Sequence, residues 1–247
     1  MSSRAATGGY DPSGIDLDAW TELEEQLEAT IPDYDRVNRL MTFGQDKRWR
    51  RNVRNHAAKG MKILEVGCGP GSFAEDLVGL DVTCLDPSEE MLKVAKRRVD
   101  AARKERGESP AAYVQAIAEE IPLEDNTFDM VFCLFSFRDF QDKKKGLEEI
   151  YRVLKPGGQL VMCDAGKANA LHGLAGRVWM STVVQWMARW VTKTKNHPWK
   201  GLARSYTHYG TNKYYRNMMV EVGFEHVSGR LLFPFLMSSR FRGKKPM

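Results

Sequence analysis

The stretch Lys62-Ile63-Leu64-Glu65-Val66-Gly67-Cys68-Gly69-Pro70-Gly71-Ser72 most narrows what this chain can fold into. A short apolar run ends in three glycines at alternate positions and continues into an amphipathic pattern. In an open α/β sheet this puts a glycine turn at the carboxyl edge of a strand, where ligands bind, with helix N–H groups facing the crevice. A dinucleotide fingerprint G-x-G-x-x-G needs glycine where Ser72 stands, and Pro70 precedes the last glycine, so NAD is disfavoured.

From Met61 onward, short apolar runs alternate with amphipathic helical patterns, the signature of a parallel sheet covered on both faces. Strands are expected at 62–67, 81–86, 112–116, 128–135 and 158–164, with helices at about 72–79, 88–104 and 142–154 between them. Beyond Asp164 the alternation lapses. A long Trp-rich helix is expected over 168–193, a polar and aromatic connection over 195–210, and a helix over 211–222. Two closing strands, 224–233 and 235–241, are split by Pro234; with no long crossover between them they should pair antiparallel.

Ahead of the sheet, residues 1–14 are rich in Ser, Gly and Ala and read as a flexible tail. Residues 15–60 read as an N-terminal helical cap: Leu17, Trp20, Leu23 and Leu27 recur at helical spacing over 16–30, and further helical patterns cover 34–41 and 46–58. Residues 61–247 form the main domain, with a helical lid insertion at about 166–210. The net charge of +5 conceals two opposed runs. Eight acids and no base lie between Ile15 and Asp35, and nine bases face only Asp46 between Arg36 and Lys62. They read either as two solvated helix faces that pair with each other or as a basic surface for anionic headgroups or nucleic acid. Cys68, Cys84, Cys133 and Cys163 lie far apart without a C-x-x-C pair, so neither a metal site nor a disulfide framework is expected. No run approaches the roughly 18 apolar residues of a membrane span, and 1–14 lacks the apolar centre of a signal peptide. A cytoplasmic protein is the expectation.

The second strand ends in Asp86, nineteen residues after Gly67, where a carboxylate can accept both hydroxyls of a ribose. With the glycine turn and the later Leu154-Lys155-Pro156-Gly157-Gly158, it resembles class I S-adenosylmethionine-dependent methyltransferases. The resemblance narrows to the ubiquinone/menaquinone biosynthesis C-methyltransferase family over about 34–164. It is carried by Tyr34-Asp35-x-x-Asn38-x-Leu40-Met41-Thr42-Phe43-Gly44 with Trp49, Asp86-Pro87-Ser88-x-x-Met91-Leu92, Pro122-Leu123-x-Asp125-Asn126-Thr127-Phe128-Asp129, Phe135-Ser136-Phe137-Arg138-Asp139 and Tyr151-Arg152-Val153-Leu154. Two departures stand out. Gln115-Ala116-Ile117-Ala118-Glu119 lacks the usual Asp or Asn beside the adenine amino group, and Arg138-Asp139 replaces an Arg-Asn pair.

The resemblance implies an α/β, Rossmann-like class I methyltransferase sheet: mostly parallel, seven-stranded, with a C-terminal antiparallel pair and helices on both faces. It implies an enzyme that uses S-adenosyl-L-methionine, releases S-adenosyl-L-homocysteine and needs no metal, and it points to C-methylation of a prenylated hydroquinone. Gly67, Gly69 and Gly71 would admit the methionine part and ribose, Glu65 would reach the α-amino group through water, and Asp86 would hold the ribose. Cys68, Pro87, Met91, Ile117, Ala118, Glu119 and Phe135 complete the expected cofactor set. Arg138 would stabilise a ring phenolate, with Asp139 or a carboxylate-held water as proton acceptor and His208 as a second base candidate. Tyr34, Asn38, Met41, Ser136, Arg138, Trp179, Tyr206 and Tyr209 are the expected substrate contacts.

Over 168–193, Trp179, Val183, Trp186 and Trp190 fall on one helical face with Leu174, and Arg177, Arg189, Lys193 and Lys195 lie near the ends. This reads as a core or lid helix or as an interfacial helix on the inner face of a membrane. The alternatives are methylation of another lipid or small metabolite, such as a phospholipid amine or sterol-like carbon, and a non-catalytic adenosylmethionine-binding scaffold. A homodimer or a biosynthetic complex stays open; nucleic acid is suggested only by the basic balance.

Overall fold

The computed structural model describes residues 9–193, 199–232 and 238–247; residues 1–8, Lys195 and Pro234 lie outside the described residues. The elements run β1 (Tyr10–Asp11), β2 (Gly14–Ile15), α1 (Leu17–Glu28), α2 (Tyr34–Met41), α3 (Gln45–Arg54), β3 (Lys62–Val66), β4 (Asp81–Asp86), α4 (Glu89–Glu105), β5 (Ala112–Gln115) and β6 (Phe128–Leu134). They continue with α5 (Lys143–Val153), β7 (Leu154–Ala165), α6 (Ala170–Ser181), α7 (Val183–Thr192), α8 (Lys200–His208), α9 (Asn212–Val222), β8 (Glu225–Leu231) and β9 (Ser238–Lys244).

The main sheet has the order β5-β4-β3-β6-β7-β9-β8. Its first five strands are parallel, and β9 is antiparallel to both neighbours. The strands read as apolar runs because both faces are covered. Alternate residues divide between two cores: Leu64, Val66, Val131 and Leu160 pack with α5 and α9, while Ile63, Val82, Phe132 and Val161 pack with α3 and α4. All four cysteines are free and lie in these cores. Polar caps mark where the helices start: Ser88 Oγ accepts the Met91 N–H at 3.1 Å for α4, and Asp142 accepts from Lys144 and Lys145 for α5. Gly223, at φ 113°, ends α9.

Several expectations need correction. Residues 9–14 are no loose tail: β1 and β2 form a hairpin, Tyr10 and Ile15 are buried against α1, and the Ile15 N–H donates to the Gln141 carbonyl at 3.0 Å. The helix expected over 72–79 is a single 3-10 turn, Ala74–Asp76. Only Arg36 and Asp33, 3.9 Å apart, pair across the acidic and basic runs among the described residues; Glu22 pairs with Arg204 instead. The long helix over 168–193 breaks at Thr182 into α6 and α7. There φ is −117° and ψ −72°, and the threonine hydroxyl bonds back to the Val178 carbonyl at 2.6 Å. The connection expected over 195–210 contains α8, whose Tyr206 is fully buried.

Candidate active site

A cleft opens at the carboxyl ends of β3, β4 and β6, where chain order reverses between β3 and β6. Helices α1, α2, α6, α7 and α8 roof it. It encloses about 1910 Å³ of space, open mouth included.

The strand-end wall is made of backbone. The Gly67 and Cys68 N–H groups both donate to the Leu85 carbonyl, at 2.8 and 3.0 Å, tying the glycine turn to the end of β4. Gly67 has φ 68°, and a Cβ there would lie 2.3 Å from the Ser136 Cβ. Gly69 sits at φ 53° under the Tyr34 ring. Asp86 accepts the Gly69 N–H on Oδ2 at 2.7 Å and the Ser88 N–H on Oδ1 at 3.1 Å, leaving lone pairs on both oxygens. Burial pushes its carboxyl up to about 6 against those two hydrogen bonds. Phe135, at φ 62°, is a non-glycine residue in the left-handed region and faces Trp49 with ring centroids 6.3 Å apart. Such strain concentrates at functional sites.

Deeper in, Glu65 is 2% exposed and its Oε2 has no partner; burial drives the carboxyl up to about 8, opposed by Arg50. On the β6 side, Asp164 holds Arg138 twice, through the backbone N–H at 3.0 Å and through Nη1 at 3.2 Å. The guanidinium lies 3.6 Å from Asp139, and its pKa is raised by the two acids despite burial. Burial pushes Asp139 up to about 6, and it pulls the neighbouring Lys143 amine down to about 8.

Gly67, Gly69, Asp86, Pro87, Met91, Ile117, Ala118, Glu119 and Phe135 line the cleft, as do Tyr34, Asn38, Met41, Ser136, Arg138, Asp139, Trp179 and Tyr206. Glu119 spends one carboxylate oxygen on the Asp142 N–H, at 2.9 Å. Five expected residues do not line the cleft, and Glu65 is one of them, buried behind Val66. Cys68 points into the core below the turn. Gly71 serves helix packing, since a Cβ there would lie 3.0 Å from the Ala95 Cα of α4. His208 stacks on Tyr10, ring centroids 6.4 Å apart, away from the cleft. Tyr209 packs on Tyr215 at 4.4 Å in the core. Sequence reasoning missed Arg50, Asp164 and the α1 side chains Trp20, Leu23 and Leu27. Arg50 was hidden in a run of bases, and Asp164 had only its place at the end of a strand as a signal.

Three comparisons bear on this geometry. A family model described as the ubiE/COQ5 methyltransferase family matches residues 21–233. A demethylmenaquinone methyltransferase of Thermus thermophilus is 36% identical over 163 residues, which is 63% of this chain and 72% of that protein. A ubiquinone/menaquinone biosynthesis C-methyltransferase UbiE of a Shewanella species is 33% identical over 205 residues, 78% of this chain and 79% of that protein. Among solved structures, a possible histamine N-methyltransferase of Thermotoga maritima superposes with a TM-score of 0.63 at 19% identity, covering 90% of this chain and 99% of that one. The sheet order, the glycine turn backed by Asp86 and a family match over most of the chain agree, and the chain belongs to the ubiE/COQ5 methyltransferase family of S-adenosylmethionine-dependent methyltransferases.

Proposed function

We propose that the chain methylates a ring carbon of a prenylated hydroquinone, such as demethylmenaquinone or a ubiquinone precursor. The carrying observation is that one cleft joins the Gly67–Asp86 wall to Arg138 and Asp139 and then to the apolar wall of Trp179, Met180 and Val184. The names of the relatives above support the same substrate class.

The residues present fit S-adenosylmethionine. Gly69, at positive φ, leaves an open position whose nearest neighbour is the Tyr34 hydroxyl at 3.8 Å, Asp86 keeps free lone pairs, and Glu65 Oε2 is a buried acceptor without a donor. Gly67 and Gly69 would flank the ligand, Asp86 would accept its ribose hydroxyls and Met91 and Ile117 would pack near its base. Bound there, the cofactor supplies an electrophilic methyl group on a sulfonium. Asp139 takes the proton from a ring hydroxyl onto its carboxylate, and Arg138 stabilises the phenolate that remains. Asp164 keeps the guanidinium aimed. The roof helices exclude water and hold the ring in place.

A lipid-soluble substrate needs a route from a membrane, and the outer face of α6 and α7 supplies one. Leu171, Val178, Trp186 and Trp190 are 76, 54, 66 and 67% exposed. Arg177, Arg189 and Lys193 are exposed beside them, and neither helix contains an acid. An apolar face with cations and no acids matches the interface of an anionic bilayer. Among the described residues no helix is long and apolar enough to cross one.

The test is methyl transfer from labelled adenosylmethionine into a chemically reduced lipid extract, separated by chromatography. Label in a quinone band is the expected result. Label confined to a phospholipid band, with cofactor binding intact, overturns the substrate assignment.

A further inference from the structure

The two faces of β9 differ in kind. Phe241 and Gly243 turn toward α9: Phe241 is fully buried, and a Cβ on Gly243 would lie 2.8 Å from the Met219 Cε. Arg240, Arg242 and Lys244 alternate with them and lie on the opposite face, about 7 Å apart along the strand. Arg230 of β8 is the direct cross-strand partner of Arg240, and Ser228 that of Arg242. On the other side their partners in β7 are Cys163, Val161 and Gln159. Helix α3 packs over Val161 and Cys163, while Arg240, Arg242 and Lys244 stay half-buried and Arg230 is exposed.

These charges are not compensated. Strands β8 and β9 hold one acid, Glu225, and it makes no ion pair with its register partner Lys244. Among the described residues no carboxylate comes within 4.0 Å of Arg230, Arg240, Arg242 or Lys244, and of the four only Arg242 has a side-chain hydrogen bond, from Nη2 to the Gln159 Oε1 at 3.3 Å. The Arg242 Nε is shut off from solvent and has no acceptor. Beside it a cavity of about 450 Å³, open mouth included, is lined by Gln159, His226, Arg242, Gly243 and Lys244. Like charges set opposite one another weaken a ladder. Burial, with Arg242 and Arg230 alongside, holds the Arg240 guanidinium below its ordinary pKa, and burial with Arg242 and Arg240 does the same to His56, just past the end of α3. Repulsion and an orphaned buried donor thus meet at one cavity, with no acid to relieve either.

We propose that this face of β8 and β9 binds the diphosphate group of a soluble ligand, with Arg240 and Arg242 as its principal partners and Arg230 and Lys244 beside them. The site is separate from the methyl-transfer cleft, which none of these four cations lines. A guanidinium meets a phosphoryl group through two parallel N–H donors. Four cations in one row call for several negative charges on one small group, which a diphosphate brings and a carboxylate does not. The recess favours a soluble ligand over a bilayer, because the unpaired Nε lies inside the wall, where a flat surface does not reach.

The test is calorimetry on the full chain with inorganic diphosphate as the probe. Arg240→Gln combined with Arg242→Gln is expected to weaken binding by about tenfold or more. Lys96→Gln combined with Arg97→Gln removes the same charge from exposed positions on α4, which packs on β4 and β5 at the other end of the sheet. That pair is expected to leave affinity within about twofold. Equal losses in the two double variants mean attraction to net charge alone and overturn the assignment, as does a wild-type chain that binds no diphosphate. Should the first pair fail to fold, Arg230→Gln, at an exposed position, is expected to weaken diphosphate about three- to tenfold, and unchanged affinity overturns the assignment. Vesicles of phosphatidylglycerol form the last arm. A loss of vesicle binding on substituting Arg240 and Arg242, with diphosphate binding unmoved, would give this face to a membrane and overturn the soluble ligand.

Discussion

At the β3–β4 end of the cleft the wall is mostly backbone, tied by hydrogen bonds from the Gly67 and Cys68 N–H groups to the Leu85 carbonyl and from the Gly69 N–H to the Asp86 carboxylate. At the α6–α8 end it is side chains, with Trp179, Met180, Val184 and Tyr206 facing in while Trp186 and Trp190 face out. The first end tolerates few residues because a turn at positive φ against a neighbouring strand leaves no space. The second accepts many, because apolar volume can be supplied in many ways. A rigid end suits a ligand that never varies, and an adaptable end suits a long apolar one.

The sharpest way to break this contrast is to put a side chain into the rigid wall. Gly67→Ala places a Cβ 2.3 Å from the Ser136 Cβ at φ 68°, and left-handed strain plus overpacking should cost about 2–5 kcal/mol. Gly44→Ala is the control, at φ 76° with nothing within 4 Å of the new Cβ; it should cost only about 1–2 kcal/mol. Denaturant unfolding of the two variants separates clash from strain. Equal losses would mean that the wall yields and is not rigid.

Next in size is Asp86→Ala. On the proposed ribose role, this loss should weaken adenosylhomocysteine about 100-fold by calorimetry. Unchanged affinity would remove Asp86 from the site.

A smaller effect separates the two ends by pH. Asp139 is held at about 6, above its ordinary value, so it is protonated below that point and cannot accept a proton. Methyl transfer should fall as pH drops through about 6, whereas binding of adenosylhomocysteine by the Asp139→Asn variant should match the wild type. Stability moves the other way. A raised carboxyl contributes stability that is complete below its unfolded value near 4 and is lost as pH rises through 6. Asp139→Asn should therefore be more stable than the wild type at pH 7.5, equal to it near pH 4, and slow in transfer at both. A variant less stable at pH 7.5 would show that the charged form is favoured by its surroundings.

The same contrast explains what could be read in advance. The positions of Gly67, Gly69 and Asp86 at the cleft were legible because strand ends and a glycine turn mark that edge of the sheet, and so were the parallel strands and the closing antiparallel pair. The packing of Gly71 against α4 was not legible, since the approach of that helix is a tertiary fact. The hairpin at Tyr10 was hidden because its partners, Gln141 and His208, are far away in the chain. The break at Thr182 was missed because a helical period survives a short interruption; the break rotates Trp186 and Trp190 away from the cleft that Trp179 lines. His208 and Tyr209 look like site residues in sequence, yet packing turned them toward Tyr10 and Tyr215.

The smallest effect on the folded chain falls at the adaptable end. Trp186 and Trp190 are about two-thirds exposed, so replacing either with alanine should change unfolding stability by no more than about 0.5 kcal/mol. Val184, Met187, Ala188 and Val191, on the opposite side of α7, are buried and anchor the helix. Binding to anionic vesicles should nevertheless fall about tenfold for each tryptophan removed, from the apolar area no longer transferred out of water. The residual binding should weaken further with salt through Arg177, Arg189 and Lys193. Sedimentation with and without salt measures both. Vesicle binding that survives the double substitution would put the membrane contact on another face, and α7 would then be only the roof of the cleft.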